Sequence, residues 1–300
     1  MAFQRLCVIG VGLIGGSLAR AARGAGVCAE VVGCGRSVAN LDRALELGVI
    51  DRYEQDPVRA VAGADLVVLA VPLGGIGALL VQLAPRLAPD ALVTDVGSTK
   101  GSVVAAARAA LGAGCARFVP GHPIAGTEQS GVEASRADLF QDRCTILTPL
   151  AETAPHALAG IRGLWEAVGS RVVEMEPDHH DTVLAAVSHL PHLLAYGLVD
   201  WVVQRPDGVE LLRYAGGGFR DFTRIASSDP VMWRDICAAN RDAIVAALSG
   251  FHAHLGGLLD ALRRGDGAQL EGLFRGAKAA RDRWTTGGAA SSGGGGPESP

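Results

Sequence analysis

The stretch RLCVIGVGLIGGSLARAARGAG, residues 5–26, decides how this chain folds. It opens with an apolar run typical of a buried strand, passes through glycines at fixed spacing, and continues as an Ala/Leu-rich helix. This is the context in which a G-x-G-x-x-G fingerprint holds a dinucleotide, with the pyrophosphate at the helix N-terminus. A turn whose glycines serve packing alone is the alternative.

Each glycine of the fingerprint has a physical task. Gly10 permits the tight turn, Gly12 lets backbone N–H groups approach the pyrophosphate, and Gly15 allows the helix to pack closely on the strand. Together with Leu13 and Ile14, these glycines are the predicted cofactor-binding residues.

The first half of the chain alternates short β-branched runs with longer Ala/Leu-rich patterns, which is typical of a parallel sheet with crossover helices. Strands are predicted at 5–10, 30–34, 65–71, 91–95, 117–119, 144–148 and 171–175, and helices at 14–24, 38–47, 101–111 and 155–168. We therefore predict an α/β fold with an N-terminal, doubly wound Rossmann-type domain over residues 1–176.

Beyond this domain the pattern is helical only. Helices are predicted at 178–204, 230–263 and 266–284. Residues 177–284 are thus expected to form an all-helical domain, and the Gly/Ser-rich tail, 285–300, is expected to be disordered. Apolar helices with few charges predict a homodimer formed through this domain, with a monomeric bundle as the alternative.

Composition limits the classes of function. Hydrophobic residues make up 49% of the chain, charged residues 19%, and the formal net charge is −4, so no basic surface for nucleic acid or for a membrane is expected. No apolar stretch is expected to reach the roughly 18 to 20 residues that a membrane span needs. The six cysteines contain no C-x-x-C pair. We expect a cytoplasmic protein that acts on a small molecule.

An acid is missing at the end of the second predicted strand. An NAD-binding protein usually has Asp or Glu there for the ribose 2′-hydroxyl, whereas this chain has Gly35-Arg36-Ser37. An arginine fork and a hydroxyl are donors suited to a 2′-phosphate, so Arg36 and Ser37 predict a preference for NADP over NAD. A solvated arginine that caps a loop is the alternative.

Three stretches are unusual for a simple core. DVGSTK, 95–100, ends the fourth predicted strand at the ligand-binding edge of the sheet, where Ser98 or Thr99 is a candidate for catalysis or only for a helix N-cap. GHPIAGTE, 121–128, holds His122 between a glycine and a proline. A hydride-transfer enzyme that oxidises an alcohol needs a group to accept the hydroxyl proton, and histidine titrates in the right range.

The third stretch is SHLPH, 188–192. Ser188 and His192 are four residues apart and so share a helix face, although Pro191 is expected to kink the helix. Purely structural roles are the alternative for these histidines. A zinc site is not expected, because the group His179, His180, His189 and His192 lacks a known ligand spacing.

Two arginines follow in AGGGFRDFTRIASSDPVMWRDI, 215–236. Arg220 and Arg224 are one helical turn apart. On an otherwise apolar helix they are candidates for binding a carboxylate or for a buried ion pair with Asp221. The same stretch predicts a helix that begins at Pro230, with Ser228 or Asp229 as its cap.

These motifs, in this order from residue 10 to residue 236, resemble the prephenate/arogenate (cyclohexadienyl) dehydrogenase family of tyrosine biosynthesis. SHLPH together with GGGFRDFTRIAS carries the resemblance most specifically. It implies a Rossmann domain, a helical dimerisation domain, and an NAD(P)-dependent oxidative decarboxylation in which hydride leaves C4 of a cyclohexadiene ring and carbon dioxide departs as the ring becomes aromatic.

The resemblance also implies roles for single residues. His122 matches the acceptor of the hydrogen bond from the substrate 4-hydroxyl, and Ser98 matches a serine near the nicotinamide and that hydroxyl. Ser188 and His192 match residues that line the substrate pocket. Arg224 matches the arginine that binds a substrate carboxylate, and Glu128 lies at a position near the pocket mouth.

Two other functions stay open at this point. A β-hydroxyacid dehydrogenase also couples a Rossmann domain to a helical one, but such enzymes use a lysine of the helical domain, and no lysine lies between residues 176 and 277. A non-catalytic NADP-sensing protein leaves His122, His192 and Arg224 without a joint explanation.

Overall fold

A computed structural model of the protein describes residues 3–290, apart from the side chains of 287–290. Six parallel strands form its main sheet: β1 (Phe3–Ile9), β2 (Cys28–Cys34), β3 (Arg52–Glu54), β4 (Leu66–Leu69), β5 (Leu92–Asp95) and β6 (Phe118–Val119). Their order is β3-β2-β1-β4-β5-β6. This order is that of a doubly wound dinucleotide-binding sheet, and it confirms the predicted fold class.

A second, smaller sheet contains three strands: β7 (Gly121–Pro123), β8 (Cys144–Leu147) and β9 (Arg171–Glu174). β7 pairs antiparallel with β8, and β8 pairs parallel with β9. The strands predicted at 144–148 and 171–175 therefore lie beside the main sheet rather than in it. β3 and β7 were not predicted, because runs of three residues carry no readable alternation.

Thirteen helices lie within the described residues: α1 (Leu13–Gly24), α2 (Val38–Glu46), α3 (Pro57–Ala60), α4 (Leu73–Leu83), α5 (Gly101–Leu111), α6 (Pro155–Ala167), α7 (Pro177–Leu184), α8 (Leu190–Val203), α9 (Gly208–Arg213), α10 (Gly217–Thr223), α11 (Pro230–Ala239), α12 (Arg241–Arg264) and α13 (Gly267–Ala290). Helices α1, α2 and α6 cover one face of the main sheet, while α4 and α5 cover the other.

The central strand shows why the sheet needs both layers. Successive side chains of β1 point to opposite faces, so Leu6 and Val8 belong to one apolar cluster, while Cys7 and Ile9 belong to the other. All four are buried. A strand that is buried on both faces reads as an unbroken apolar run, which is the pattern from which it was predicted.

The helix predicted over 178–204 contains a wide turn. α7 and α8 are joined by a π-helical segment, Ala185–His189, that ends just before Pro191. Proline has no N–H to donate to the carbonyl four residues back, and its ring crowds that carbonyl. A wider turn accommodates both effects, and π-turns occur often at functional sites.

The two later helices differ from their predicted bounds. Asn240 leaves the helical conformation and divides the predicted helix 230–263 into α11 and α12. Asp229, rather than Ser228, caps α11 by accepting a hydrogen bond from the Met232 N–H at 2.8 Å. α13 continues to Ala290, six residues into the predicted tail, with its last-turn threonine hydroxyls bonded to main-chain carbonyls. Residues 291–300 of that tail lie outside the described residues.

The chain divides into two compact units, Met1–Ile244 and Val245–Pro300. Helices α7 to α11 belong to the same unit as the main sheet. This division lies far from residue 176, where the sequence pattern changes, because α7 is bonded to the start of α5 through hydrogen bonds described below.

Two helical stretches are long and apolar enough to cross a membrane by length and composition alone, Pro177–Val203 and Arg241–Arg264. The expectation that no stretch reaches this length is therefore wrong. Core helices of proteins that do not enter membranes pass the same test. The first stretch carries the buried polar side chains of His180, Asp181 and His189, which are hydrogen-bonded inside the fold.

Gly15 provides a test of the contact between α1 and β1. A Cβ atom at this position would lie 2.1 Å from the Gly10 carbonyl oxygen and 2.9 Å from side-chain atoms of Ala70 and Val8. We expect Gly15→Ala to lower the free energy of unfolding by about 1–3 kcal/mol, because the surrounding backbone has to move. Equilibrium urea unfolding of the cofactor-free protein measures this change.

Gly163→Ala is the matched control. Gly163 is an exposed residue of α6, and a Cβ atom there would meet nothing within 4 Å. This variant should gain about 0.5–1 kcal/mol, since alanine loses less backbone entropy than glycine on entering a helix. Equal effects of the two substitutions would contradict the described packing.

Candidate active site

The glycine fingerprint forms an open cradle at the carboxyl edge of the main sheet. Gly10 has a φ of +101°, and a Cβ atom there would lie 2.1 Å from the Ala70 carbonyl oxygen. A Cβ atom on Gly12, by contrast, would meet nothing within 4 Å. The first and last glycines are thus required by the fold, whereas the middle one leaves space beside the backbone.

That space fits the pyrophosphate of a dinucleotide. α1 begins directly behind it, its N-cap Gly12 offers no side chain, and its first turn holds no acid. The N–H groups of the first helical residues, Leu13 and Ile14, have no partner within the helix and are available to an anion. Asn40 secures the loop by donating to the Val11 carbonyl at 2.7 Å.

Arg36 and Ser37 follow β2 at the same edge of the sheet. Ser37 caps α2 by accepting a hydrogen bond from the Asn40 N–H at 3.3 Å. The Arg36 carbonyl accepts from Gln55 Nε2, while its exposed guanidinium makes no ion pair or hydrogen bond with other described residues. Both side chains therefore lie where the second strand ends, as the sequence predicts.

His122 lies on the short strand β7, where the main sheet meets the smaller one. Its ring is buried, and both the N–H and the carbonyl of the preceding residue, Gly121, are hydrogen-bonded. Asp95 Oδ1 accepts from the Gly121 N–H at 3.2 Å, and Lys100 Nζ donates to the Gly121 carbonyl at 2.6 Å. These bonds fix the backbone that carries the histidine.

Lys100 and Asp95 themselves form an ion pair with no solvent exposure. Lys100 Nζ lies 2.5 Å from Asp95 Oδ2. Burial lowers the pKa of Lys100, and the negative charge of Asp95 partly offsets that effect. Removing either partner would leave an unpaired buried charge, which costs about 3–5 kcal/mol in comparable cases.

His122 is the first member of a chain of three hydrogen-bonded side chains. His122 Nδ1 lies 2.9 Å from His180 Nε2, and His180 Nδ1 lies 2.8 Å from Asp181 Oδ1. Burial lowers the pKa of His122 well below its ordinary value, and the ammonium of Lys100 acts in the same direction. The ring is therefore neutral and able to accept a proton near neutral pH.

Asp181 joins the helical part to the main sheet. Its carboxylate accepts hydrogen bonds from the N–H groups of Lys100 at 2.7 Å and Gly101 at 2.8 Å, so it caps the N-terminus of α5. The sequence offered Ser98 or Thr99 for that cap, and this expectation is wrong. Thr99 instead lies 3.1 Å from the Ser102 hydroxyl.

Ser98 and SHLPH meet around His189. Burial lowers the pKa of His189 to about 4, partly offset by Asp181 and by the main chain of Ser98. Asn240 Nδ2 donates to the Asp181 carbonyl at 2.8 Å and lies 3.1 Å from His189 Nδ1. The loop that holds Ser98 is thus in contact with the π-turn that holds His189.

The face that carries Ser188 and His192 is bounded by Trp233 of α11. The ring of His192 stacks on Trp233 with centroids 3.8 Å apart, and its Nδ1 donates to the Ser188 carbonyl at 2.9 Å. Burial also lowers the pKa of His192. Both residues are half-buried, so this face is accessible from solvent.

Arg224 and Glu128 form an ion pair, and the predicted partner Asp221 is not involved in it. Arg224 lies at the end of α10 with a largely exposed side chain, and Glu128 lies in the loop that follows β7. The structure therefore brings together two residues that are 96 positions apart, one a predicted carboxylate binder and the other predicted to lie near the mouth of the pocket.

Several functional candidates escaped the sequence analysis. Lys100 carried a signal, since it is the only lysine before residue 278, yet it was not singled out. Asp181 and Asn240 had no recognisable signal in the sequence, because their partners are distant along the chain. Among the described residues no group of three or more His, Cys, Asp or Glu side chains is arranged to hold a metal ion.

Comparison with known proteins gives two family matches. Residues 18–174 match the model of the prephenate dehydrogenase nucleotide-binding domain, and residues 176–276 match that of the prephenate dehydrogenase dimerization domain. The chain is 40% identical over 283 residues to cyclohexadienyl dehydrogenase of Zymomonas mobilis, which covers 93% of this chain and 95% of that protein.

Solved structures show the same relationship. Prephenate dehydrogenase of Aquifex aeolicus, crystallised with hydroxyphenyl propionate and NAD⁺, superposes with a TM-score of 0.89 at 38% identity, covering 94% of this chain and 99% of that one. Synechocystis arogenate dehydrogenase superposes with a TM-score of 0.79 at 30% identity, covering 94% and 100% of the two chains. The predicted family is confirmed: the chain belongs to the prephenate/arogenate dehydrogenase family.

Proposed function

We propose that this protein catalyses the NAD(P)-dependent oxidative decarboxylation of prephenate, arogenate or both, giving 4-hydroxyphenylpyruvate or tyrosine. The observation that carries the proposal is the neutral, buried His122, which is held by one ring nitrogen at the same edge of the main sheet as the dinucleotide cradle. Relatives named for cyclohexadienyl, prephenate and arogenate substrates support the reaction class. They do not favour a β-hydroxyacid dehydrogenase or a non-catalytic sensor.

His122 accepts the proton of the substrate 4-hydroxyl. A bound nicotinamide would supply the acceptor for the hydride that leaves C4. The substrate C–O bond becomes a carbonyl as His122 acquires the proton. The ring carboxylate then leaves as carbon dioxide, and the electron pair of the broken C–C bond enters the ring. The oxygen becomes a phenolate and takes the proton back from His122, which returns to its neutral state.

The remaining predicted residues bind and orient the substrate. Arg224 binds a substrate carboxylate through its fork of N–H donors, and Glu128 limits where the guanidinium can lie. Ser188 and His192 line the substrate pocket, and Ser98 lies near the reacting hydroxyl. A small, doubly charged acid that is fixed in this way is held in the geometry that hydride transfer needs.

For the cofactor we propose NADP as the preferred form. The support is the pair Arg36 and Ser37 at the end of β2, with no acid between Cys34 and Val38 to repel a 2′-phosphate. The Aquifex aeolicus relative was crystallised with NAD⁺, so this preference would be a property of this chain rather than of the family.

We further propose a cytoplasmic homodimer. Its cofactor part would span residues 1–176 and its substrate and dimerisation part 177–284. The apolar side chains Val245, Leu248, Leu255, Leu259 and Leu262 are exposed on α12 and support pairing with a second copy. All six cysteines are free in the described chain, which agrees with a reducing compartment.

His122→Asn tests the proton acceptor. We expect kcat to fall by about 10²- to 10⁴-fold, because asparagine does not titrate, while dinucleotide affinity is retained. Absorbance of the reduced nicotinamide measures turnover of prephenate and arogenate. His156→Asn, which changes an exposed histidine of α6, should keep the wild-type rate. Unchanged turnover in His122→Asn would refute the mechanism.

Arg224→Ala tests substrate binding. Losing a charge-assisted pair should raise KM about 10- to 100-fold with a smaller change in kcat. Arg220→Ala, one helical turn away, is the matched control and should raise KM less. The idea fails if the two variants have the same KM in steady-state assays.

Arg36→Ala tests the cofactor preference. The ratio of kcat/KM for NADP to that for NAD should fall about 10- to 100-fold, because one phosphate ligand is removed. Arg86→Ala is the control, since Arg86 follows α4 at the opposite edge of the sheet. A ratio that Arg36→Ala leaves unchanged would end the NADP proposal.

A further inference from the structure

The hydrogen bonds behind His122 define the protonation state of each nitrogen in turn. Asp181 is ionised: burial raises its pKa, but the hydrogen bonds from His180 and from two backbone N–H groups outweigh that effect and lower it. A carboxylate can only accept hydrogen bonds, so the proton of this contact resides on His180 Nδ1.

The tautomer of His122 follows from that assignment. We assign His180 its uncharged form with the proton on Nδ1, because the ring has no solvent exposure and already contacts the Asp181 carboxylate through Nδ1. Nε2 of this form is bare and can only accept. The 2.9 Å contact between the two rings is then a hydrogen bond donated by His122 Nδ1–H. His122 is left with a bare Nε2, the atom that has to receive the hydroxyl proton.

We propose that His180 and Asp181 are positioning residues that hold His122 in its Nδ1–H tautomer and share the positive charge that His122 acquires during the reaction. This proposal rests on the proposed role of His122 as proton acceptor. When His122 is protonated at Nε2, its Nδ1–H becomes a stronger donor, and the hydrogen bonds to His180 and on to Asp181 strengthen with it.

The burial of the three hydrogen-bonded side chains agrees with sharing of the positive charge among them rather than with release of a proton to solvent. His180 has no solvent exposure, and the side chain of Asp181 is 11% exposed. In the reaction above the proton returns to the substrate oxygen, so no net proton has to leave the site. A short row of buried, hydrogen-bonded side chains that ends on an ionised carboxylate is sufficient to stabilise the proton on His122 until it returns to the substrate.

The charged groups around His122 act on its protonation in opposite directions. Lys100 at the start of α5 and His189 in the π-turn disfavour a positive charge on His122, and so would a charged His180, whereas an uncharged His180 accepts a hydrogen bond from it; Asp95 neutralises part of the Lys100 charge. Asp181 is the negative group on the far side of His180. Without this anion, protonation of His122 would place a second cation beside Lys100 in a buried region.

Nitrogen NMR of the imidazole rings tests the tautomer without any turnover. In ¹⁵N-labelled enzyme at neutral pH, the ring assigned to His122 by its loss in His122→Asn should show a protonated Nδ1 and a bare Nε2. A protonated Nε2 in the wild-type protein would overturn the proposal, whatever the enzyme acts on. If the tautomer is as stated but neither prephenate nor arogenate is oxidised, the proposed function fails, whereas the positioning role of His180 and Asp181 is retained.

Kinetics of His180 variants test the charge sharing. His180→Leu removes the acceptor for His122 Nδ1–H, and we expect kcat to fall about 10²-fold or more, with KM and dinucleotide affinity retained. His180→Gln keeps an acceptor oxygen and should recover most of this loss. The neighbouring exposed residue supplies the control, since His179→Leu should behave as wild type.

The pH profile separates this role from a purely structural one. Activity is lost as the pH falls through the pKa of His122, because the protonated ring cannot accept a proton. In His180→Leu the cation loses a partner, so the acid limb of kcat/KM should move to lower pH. An upward shift would show that His180 acts as a repelling charge, and an unmoved limb with lost kcat would show that it only maintains the fold. Either result overturns the proposal.

Discussion

Lys100 and Asp95 form an ion pair with no contact with solvent, at the edge of the sheet where β5 ends and α5 begins. Because a buried charge without a partner is costly, neither side chain can leave, and the loop between them is held with them. Each side chain also forms a hydrogen bond with Gly121, Lys100 with its carbonyl and Asp95 with its N–H, which places His122 over the same edge. The position of the proposed proton acceptor is therefore fixed by an ion pair that takes no part in the proposed chemistry.

The second constraint is Asp181. One carboxylate caps α5, accepts from His180 and belongs to α7, so the first helix beyond the sheet is bonded to the edge that carries the cofactor cradle. This explains why the helices up to α11 form one compact unit with the sheet, although the sequence pattern changes near residue 176. The compact unit therefore extends beyond the residue at which the sequence pattern changes.

The polar network also determines the chemistry that the site can perform. His122, His189 and His192 all have lowered pKa values, mainly through burial, and so remain neutral where free histidine begins to protonate. A neutral histidine at the sheet edge that also carries the dinucleotide cradle suits proton acceptance coupled to hydride loss. Arg224 and Glu128 form an ion pair that is more exposed than these histidines.

The sequence by itself determined the fold class, the fingerprint, most helices of the first half and the set of motifs around the site. Those features depend on local periodicity and on glycine geometry, which a single stretch of chain contains. Only the tertiary structure decided that Asp181 rather than Ser98 or Thr99 caps α5, that Lys100 is buried, that Arg224 pairs with Glu128, and that His180 stands behind His122. Each of these contacts joins residues from separate elements, and the free energy of a buried polar group depends on the partner that folding supplies, which local sequence does not encode.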